Sequence, residues 1–359
     1  MNKVSLIDPL ADSRWEDFVQ KHPYATIYHS AGWKRVLEKS FKHMKGHYII
    51  LTDSHGKNIE AALPVYIVDS WLLGKRLVSL PFATICDPLV SDVAELERLL
   101  EMLISFYRES KASSLEIKSL KSHRVIEGIK SHRLTVLKQF KHHYLYLSPD
   151  PEEVRKKFRQ KSVRSAIRKA ERSDLILNDD NTESELKIFY DLYVHTRKEL
   201  GLPPQPFRFF NNIWTEFANK NTFKILLANY KGKPVAGLAF FKFKKRISTE
   251  FAGWVRGYKD LNANSLLYWS AIKQGCEEGY EIFDFGRTAY ENKGLMNFKK
   301  HWGTIEEDIH SFYYPDNVMS ELEDTFSNKK KEIIRCVLRE KTPDFIAKLV
   351  GDFCYRHLG

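Results

Sequence analysis

The chain has 359 residues, of which 43% are hydrophobic and 13% aromatic, and its formal net charge is +11. This length favours two domains, since compact domains usually hold roughly 100–200 residues, and the composition excludes wholesale disorder. No apolar run approaches the roughly 18 residues that span a bilayer, and the first residues lack the apolar core of a signal peptide. We therefore expect a cytoplasmic protein.

The first half of the chain predicts two helices, a run of three strands, a long helix and two further strands. The long helix is expected to begin at Val93, because Asp92 and Glu95 have the spacing of a capping box. The other elements are expected near residues 12–21 and 30–40 (helices) and near 47–54, 59–68, 76–80, 115–120 and 143–147 (strands).

The second half predicts the same order of elements. A basic helix is expected over 153–172, followed by a helix from Thr182 that has Glu185 in a capping-box position and Gly201 as its stop. Pro206 opens another helix. The remaining elements are expected near 222–230, 233–243, 246–254 and 281–285 (strands) and from about Asn264 (helix).

Two hairpin sequences make this repeat visible. GKNIEAALPVY at 56–66 and GKPVAGLAFFK at 232–242 each have Gly-Lys in the turn. With the shared order of elements they predict a mixed α/β (α+β) fold of two tandem units, each a mainly antiparallel sheet flanked by helices, packed side by side around a cleft. The predicted domains are residues 1–149, 150–314 and a C-terminal helical tail at 315–359.

The tail predicts one helix that ends before Pro343 and a second, amphipathic helix after it. The apolar stripe of the second helix is expected to pack on the body of the protein. It consists of Phe345, Ile346, Leu349 and Phe353. The alternative is that this stripe, together with Lys329–Lys331, lies on a membrane surface.

The segment 153–172 holds nine Lys or Arg residues against two Glu. Two interpretations stay open: a solvated basic face, or a docking surface for a polyanion. In the second interpretation Arg164, Arg168 and Lys169 are candidates for donor binding.

The sequence WVRGYKDLNANSLLYWSAI runs from a strand into a mostly apolar helix. Asn262 or Asn264 is expected as the N-cap, and Tyr258 lies in the same loop. Free amides at a helix N-terminus can bind a phosphate or a developing oxyanion. These three residues are therefore further candidates for donor binding, unless the helix is simply a capped core helix.

The segment FDFGRTAYENKGLMNFKKHWG at 283–303 places positive charge beside a short apolar strand. Asp284 is expected to face outward or to pair with a charge such as Arg287. Lys299 and Lys300 point about 100° apart on a helix, so at most one of them faces a given cleft. We expect Lys299 to face it and Lys300 to lie at its rim, unless either belongs to an ordinary surface helix.

In the first half, His29 and Trp33 lie at a helix start and Asp87 lies in a proline-bounded loop. These three residues are candidates for acceptor binding, whereas Ser30 is interpreted as an N-cap. The sequence has no nucleophile motif and no metal-ligand spacing, and its four cysteines are far apart. We therefore expect free thiols, no covalent intermediate and no metal site.

Five segments resemble the FemAB-like (Fem-type) transferases, and more narrowly their BioF2-like or GNAT-type acyltransferase branch. They are SVRSAIRKAER, TRKELGLPPQPFRFF, GKPVAGLAFF, LNANSLLYWSAIKQGCEEGYEIFDFGRT and GLMNFKKHWG. The resemblance implies two GNAT-like units and transfer of an acyl or aminoacyl group to an amine of a cell-envelope precursor, in Fem-type members from aminoacyl-tRNA.

Two residue roles follow from the same resemblance. Lys299 stands in the family's Phe-Lys pair, which implies that it supports the donor phosphate and the transition-state charge, and Arg287 matches the arginine after the Asp-Phe-Gly strand end. The loop RGYKDLNANS departs from acetyl-CoA-dependent GNAT enzymes, because it holds one glycine where those enzymes have a glycine-rich pyrophosphate loop.

Three hypotheses result. The first is an acyl- or aminoacyl-transferase in which Lys299, at an ordinary lysine pKa near 10.4, is a charge-stabilising cation and Asp284 or Asp87 accepts a proton. Its donor substrate is aminoacyl-tRNA or acyl-CoA, its acceptor is an amine of a cell-envelope or saccharide precursor, and no cofactor is tightly bound. The second is a non-catalytic protein that binds RNA or an anionic membrane through 153–172. The third is an acetyl-CoA-dependent sugar N-acyltransferase. In each the protein is cytoplasmic, either free or peripheral on the inner face of the membrane.

Overall fold

The structure, a computed structural model, describes residues 3–120, 122–130, 134–315, 338 and 342–358. The helix predicted before Pro343 and Lys329–Lys331 lie outside the described residues. The chain forms two compact units. Unit 1 contains the residues up to Phe140 and the two later segments that begin at Asp308 and at Phe353. Unit 2 contains Lys141–Glu307 and the segment that ends at Asp352.

Unit 1 contains a mainly antiparallel sheet with flanking helices. Its strands are β1 (Lys3–Ile7), β2 (Met44–Thr52), β3 (Ile59–Ser70), β4 (Gly74–Val78) and β5 (Ser114–Leu120). Its helices are α1 (Arg14–Lys21), α2 (Ala31–Ser40), α3 (Val93–Ser110) and α4 (His123–Lys130). Neighbouring strands follow chain order, and β4 and β5 are parallel because α3 connects them.

Unit 2 repeats this design. It begins with the end of β6 (Thr135–Tyr146) and continues with β7 (Leu175–Asn178), β8 (Phe223–Tyr230), β9 (Lys233–Phe243), β10 (Arg246–Trp254) and β11 (Ile282–Ala289). Its helices are α5 (Pro151–Lys156), α6 (Ser165–Glu171), α7 (Glu183–Glu199), α8 (Phe207–Phe217), α9 (Ala263–Glu277) and α10 (Lys293–Lys300). The strand order is β6, β11, β10, β9, β8, β7.

The repeat predicted from the two hairpins appears in the backbone. Gly56 and Gly232 occupy the turns before β3 and β9 with φ of +69° and +74°, a conformation that glycine adopts without strain. The last strand, β12 (Ile305–Tyr314), was not predicted, and its end pairs with β5 in unit 1. The predicted mixed α/β fold, with a mainly antiparallel sheet and flanking helices in each of two units, is confirmed.

Several predicted helix boundaries are confirmed by their caps. The Asp92 carboxylate accepts a hydrogen bond from Glu95 N at 2.9 Å, although Glu95 itself caps Ser91 N. Thr182 and Glu185 form the complete capping box, and Gly201 follows the end of α7 with φ of +64°. Elements that the sequence pattern missed are β1, α4, β7 and β12.

The expectation of one basic helix over 153–172 is wrong. α5 ends at Lys156, a π turn covers Gln160–Arg164, and α6 follows. The helix breaks because Phe158 is buried between Trp269 and Trp302, with ring centroids 5.8 and 5.0 Å away. The next residue, Arg159, has an extended backbone and donates its N–H to the carbonyl of His301 at 2.8 Å.

The helix α11 (Asp344–Tyr355) packs with a different face from the predicted one. Ala347 is buried, and Gly351 lies so close to the Pro204 carbonyl that a Cβ would overlap it. Three ion pairs join this helix to unit 2: Lys198–Asp344, Arg208–Asp352 and Lys348–Asp191. The expectation that the apolar stripe packs on the body is wrong for its three exposed members, Phe345 (64%), Leu349 (65%) and Phe353 (51%). Within the described ranges, every helix is too short or too polar to cross a membrane.

Candidate functional site

The carboxyl ends of two parallel strands separate in unit 2. β10 and β11 pair from Arg246–Ile282 to Ser248–Asp284, after which β10 continues to Trp254 and β11 to Ala289. A bulge between Thr249 and Phe251 marks the point of separation on β10. Ligands commonly bind outside the carboxyl ends of parallel strands, and bulges are frequent beside active sites.

Lys299 lies against the carboxyl end of β11. Its side chain extends from α10, a helix capped by Asn292, whose side chain accepts from Leu295 N at 3.0 Å. Lys299 is 4% exposed, and its Nζ donates to the carbonyls of Gly286 and Arg287, both at 3.1 Å. An ammonium group has three N–H donors, so one remains for a reacting oxygen or phosphate.

The protonation of Lys299 differs from the sequence-based expectation. Burial lowers the pKa of Lys299 to about 8, although the charges of Asp284 and Glu250 act in the opposite direction. The expectation of an ordinary lysine pKa near 10.4 is therefore wrong. At neutral pH the ammonium form still predominates, so the side chain can stabilise negative charge.

Of the two alternatives expected for Asp284, facing outward or pairing with a charge, the structure shows the second: Asp284 is buried and pairs with Arg246. Its carboxylate accepts hydrogen bonds from His142 Nε2 at 2.8 Å, Arg246 Nη1 at 3.0 Å and Gly286 N at 2.7 Å. The ion-pair partners are thus Arg246 and His142, where the sequence suggested Arg287.

The environment of Asp284 makes it a poor proton acceptor. Burial alone would raise the pKa of Asp284, but the charges of His142 and Arg246 and the hydrogen bonds from His142 and Gly286 outweigh burial and hold it well below the usual range. Asp284 therefore fixes the backbone of β11 at Gly286, which has φ of +72°, and the Gly286 carbonyl in turn holds Lys299.

A second histidine, His143, lies on β6 beside this cluster. It is fully buried, and neither ring nitrogen has a hydrogen-bond partner among the described residues; Glu306 Oε1 lies 3.9 Å from Nδ1. Burial, and next the charge of Lys299, lower the pKa of His143 to about 3. The imidazole is neutral at physiological pH and adds no positive charge beside Lys299.

The other residues predicted in this segment lie near Lys299 in sequence but differ in exposure. Arg287 is half-buried and contributes its carbonyl to Lys299, while Lys300 is exposed, as expected of a rim residue. The helix α9 begins at Ala263 with Asn262 as its N-cap, in the left-handed conformation and without a side-chain cap. Asn264 and Tyr258 are half-buried, and the ring of Tyr258 contacts that of Tyr230 at 6.0 Å.

The predicted basic residues separate into two groups. Arg164 and Arg168 line a cavity of about 280 Å³, whereas Lys169 is exposed on the neighbouring face of α6. A second cavity, of about 500 Å³, lies in unit 1 beside α1. Three of its lining charges form local ion pairs: Arg14 pairs with Asp12, and Lys21 pairs with Asp17.

The three predicted acceptor-binding residues are buried in unit 1. Trp33 is 1% exposed, and His29 is fully buried, with Thr26 Oγ1 at 3.0 Å from Nδ1 and the Asp87 carbonyl at 3.0 Å from Nε2. The Asp87 carboxylate accepts from Ser122 N at 2.9 Å. These contacts are structural, and the expectation that His29, Trp33 and Asp87 present themselves to an acceptor is not supported by their burial. Ser30 is the N-cap of α2, as expected.

Sequence reasoning missed Arg246, His142 and His143. The adjacent histidines in KHHYLYL were the available signal, because a buried strand rarely carries two titratable residues without partners. Their partner Asp284 lies 142 positions away, and local patterns do not reveal such pairing. In the part of the chain that the structure describes, no group of three or more His, Cys, Asp or Glu is arranged to hold a metal ion.

Comparison with known proteins agrees with this geometry. Residues 156–300 match the family described as an acetyltransferase (GNAT) domain. Over 310 residues the chain is 23% identical to the UDP-N-acetylmuramoylpentapeptide-lysine N(6)-alanyltransferase of Weissella viridescens, covering 80% of this chain and 87% of that protein.

Solved structures show the same fold. The crystal structure of FemX has a TM-score of 0.73 and 13% identity, over 90% of this chain and 99% of FemX. A tandem GNAT protein from the clavulanic acid biosynthesis pathway has a TM-score of 0.57 and 11% identity, over 87% and 98% of the two chains. The resemblance to FemAB-like, GNAT-type transferases that the motifs indicated is thus confirmed, and it supports an enzyme that transfers an acyl or aminoacyl group.

Proposed function

We propose that the enzyme transfers an aminoacyl group from aminoacyl-tRNA to an amine of a peptidoglycan precursor, at the carboxyl ends of β10 and β11. The alanyltransferase relative supports this choice of donor and acceptor class. Acyl-CoA is the alternative donor, because the matched family is described as an acetyltransferase domain.

The observation that carries the proposal is the position of Lys299. Its ammonium group is held by the carbonyls of Gly286 and Arg287 in β11, is nearly excluded from water, and keeps one N–H available. A fixed donor in a dry site stabilises a developing oxyanion far more than a donor in water does, and losing one such donor typically costs about 10²–10³ in rate.

In the proposed reaction the ammonium group of Lys299 is the main catalytic group. The neutral amine of the acceptor attacks the ester carbonyl of the donor, a C–N bond forms, and the ester C–O bond breaks. The nitrogen loses one proton, and the leaving ribose hydroxyl gains one. The ammonium of Lys299 stabilises negative charge on the tetrahedral intermediate or on a nearby donor phosphate.

Asp284, His142 and Arg246 serve this step indirectly. The Asp284 carboxylate accepts a hydrogen bond from Gly286 N and so fixes the part of β11 whose carbonyls hold Lys299. Its negative charge also raises the pKa of Lys299 against the effect of burial. We therefore assign Asp284 a positioning role and no part in proton transfer. Arg287 and Lys300 are proposed to contact the donor at the rim of the same site.

The other two hypotheses are less well supported. A non-catalytic binding protein would have no use for the buried ammonium of Lys299. Against an acetyl-CoA-dependent sugar N-acyltransferase, the loop before α9 has one glycine where the pyrophosphate loop of such enzymes has several. Peripheral contact with a membrane stays a prediction, and the exposed stripe of α11 is the observation in its favour.

The proposal is tested by incubating the purified protein with UDP-N-acetylmuramoyl-pentapeptide and either a pool of aminoacyl-tRNAs or acetyl-CoA. Products are identified by mass spectrometry. We expect the pentapeptide to gain one amino acid from the tRNA pool and nothing from acetyl-CoA. Acetylation of the acceptor alone would assign the enzyme to the acyl-CoA class instead.

A further inference from the structure

A basic pocket lies in unit 2 between α5 and α6. It has a volume of about 280 Å³ and is lined by Glu152, Arg155, Lys156, Gln160, Arg164 and Arg168. Four of these side chains are cations and one is a carboxylate. The pocket therefore has a high density of positive charge, and all four cations belong to the basic segment 153–172.

The irregular backbone of this segment builds the pocket. A straight helix places residues four apart about 40° further around its axis at each step, so its side chains would wind away from one cavity. Here the chain breaks after α5, and the π turn is closed by the N–H of Arg164 and the carbonyl of Arg159 at 3.3 Å. Gln160, Arg164 and Arg168 consequently line the same cavity as Lys156. Single π turns of this kind are frequent at functional sites.

Only one of the four cations is neutralised by carboxylates of the described residues. Arg155 pairs with Glu152 at 3.4 Å and with Glu171 at 3.2 Å, and it stacks over Trp269. Lys156, Arg164 and Arg168 form no ion pair within the described ranges.

Arg164 has spare hydrogen-bonding capacity. Its Nη2 donates to Gln160 Oε1 at 3.1 Å, whereas its buried Nε has no hydrogen-bond partner among the described residues. A buried guanidinium donor without a partner is costly, and an oxyanion in the pocket would satisfy it. Two arginines that converge with a lysine form a typical phosphate site, because the planar guanidinium binds phosphate oxygens in pairs.

We propose that the basic pocket binds a phosphodiester group of the RNA part of the donor, an inference that rests on the proposed function. Its volume suits one or two phosphates with part of a sugar and is small for a whole nucleotide ligand. Exposed cations continue along the segment outside the pocket, at Lys161, Lys169 and Arg172. A polymer of phosphates can contact these as well, whereas coenzyme A carries its phosphates at its nucleotide end alone and has an uncharged pantetheine arm.

The test compares two double variants that remove the same charge from the same segment. R164A/R168A removes two of the four cations that line the pocket. K161A/K169A is the matched control, because Lys161 and Lys169 lie outside the lining. Binding of unfractionated deacylated tRNA is measured by fluorescence anisotropy across a salt series. We expect the pocket variant to lose at least about tenfold in affinity and the control less than about threefold, with a shallower salt dependence in the pocket variant.

Equal losses in the two variants would overturn the inference, because they would indicate a diffuse basic surface. Competition of coenzyme A with tRNA, lost in R164A/R168A, would overturn it in favour of a coenzyme A site. Should R164A/R168A fail to fold, K156A replaces it, since Lys156 is exposed and has no ion pair among the described residues.

The outcome is separable from that of the proposed function. If the pocket variant alone loses tRNA affinity but the wild type transfers no amino acid, the pocket stands and the proposed reaction fails. If the wild type transfers an amino acid and R164A/R168A keeps the wild-type KM for aminoacyl-tRNA, the reaction stands and the pocket inference fails.

Discussion

Replacement of Lys299 by methionine tests whether this buried cation is retained at a cost in stability. Burial lowers the pKa of Lys299 from 10.5 to about 8. The folded protein therefore binds this proton more weakly than the unfolded chain does, and the charged form opposes folding. The lowered pKa means that the charged Lys299 side chain reduces the free energy of unfolding by about 3 kcal/mol at pH 7.

The sign of the pH dependence follows from the same comparison. Between pH 8 and 10.5 the unfolded chain keeps the proton on Lys299 while the folded protein releases it, so the free energy of unfolding rises with pH. Relative to K299M, the wild type should gain about 2 kcal/mol from pH 7 to pH 9.5. At pH 7 the variant loses two hydrogen bonds to carbonyls, worth about 1 kcal/mol each, which offsets much of its gain.

Denaturant unfolding at pH 7, 8, 8.75 and 9.5 measures this difference. K300M is the matched control, because it removes an exposed lysine of the same helix and leaves the buried ammonium of Lys299 in place. The reasoning is refuted if the wild type and K299M keep a constant difference over this range. It is equally refuted if K299M is less stable than the wild type by more than about 3 kcal/mol at pH 7, which would make the lysine structural.

Further predictions address the site and its surroundings. The kcat/KM of the wild type should fall above pH 8 as Lys299 loses its proton, and K299R should move this fall to higher pH; an unmoved profile would exclude Lys299 as its cause. D284N should lower the free energy of unfolding by about 3 kcal/mol, because it breaks a buried ion pair, and should shift the alkaline fall to lower pH. G303A should cost about 2 kcal/mol or more in denaturant unfolding, since Gly303 has φ of +73° and a Cβ would lie 2.8 Å from the Lys157 carbonyl, whereas G257A, with open space around it, should be neutral. F345S/L349S/F353S should keep the wild-type stability and lose sedimentation with anionic vesicles; unchanged sedimentation would remove the stripe from any membrane contact.

The sequence predicted the elements best where the signal is local. The capping box at Thr182 and Glu185 and the two Gly-Lys turns at Gly56 and Gly232 depend on neighbouring residues, and all are present. The break after Phe158 could not be foreseen, because the cause is a pocket between two tryptophans that lie more than 100 residues further along the chain. The pairing of the end of β12 with β5 in unit 1 likewise joins residues that are far apart in the sequence, so local patterns could not predict it.

The candidate site shows the same division. The Phe-Lys motif singled out Lys299, but the lowered pKa of Lys299 comes from burial, which a sequence does not report. His29 and Trp33 looked available at a helix start, yet both are buried in the core of unit 1. Residue type and spacing therefore indicate which side chains can carry chemistry, whereas packing, which the sequence does not report, sets how buried each of them is.

The role of Lys299 in transfer is tested most directly by single-turnover rates with saturating aminoacyl-tRNA and acceptor, for the wild type and K299M side by side. The account predicts that K299M, folded and with wild-type affinity for tRNA, transfers the aminoacyl group about 10²–10³ times more slowly. Transfer by K299M at the wild-type rate would contradict it.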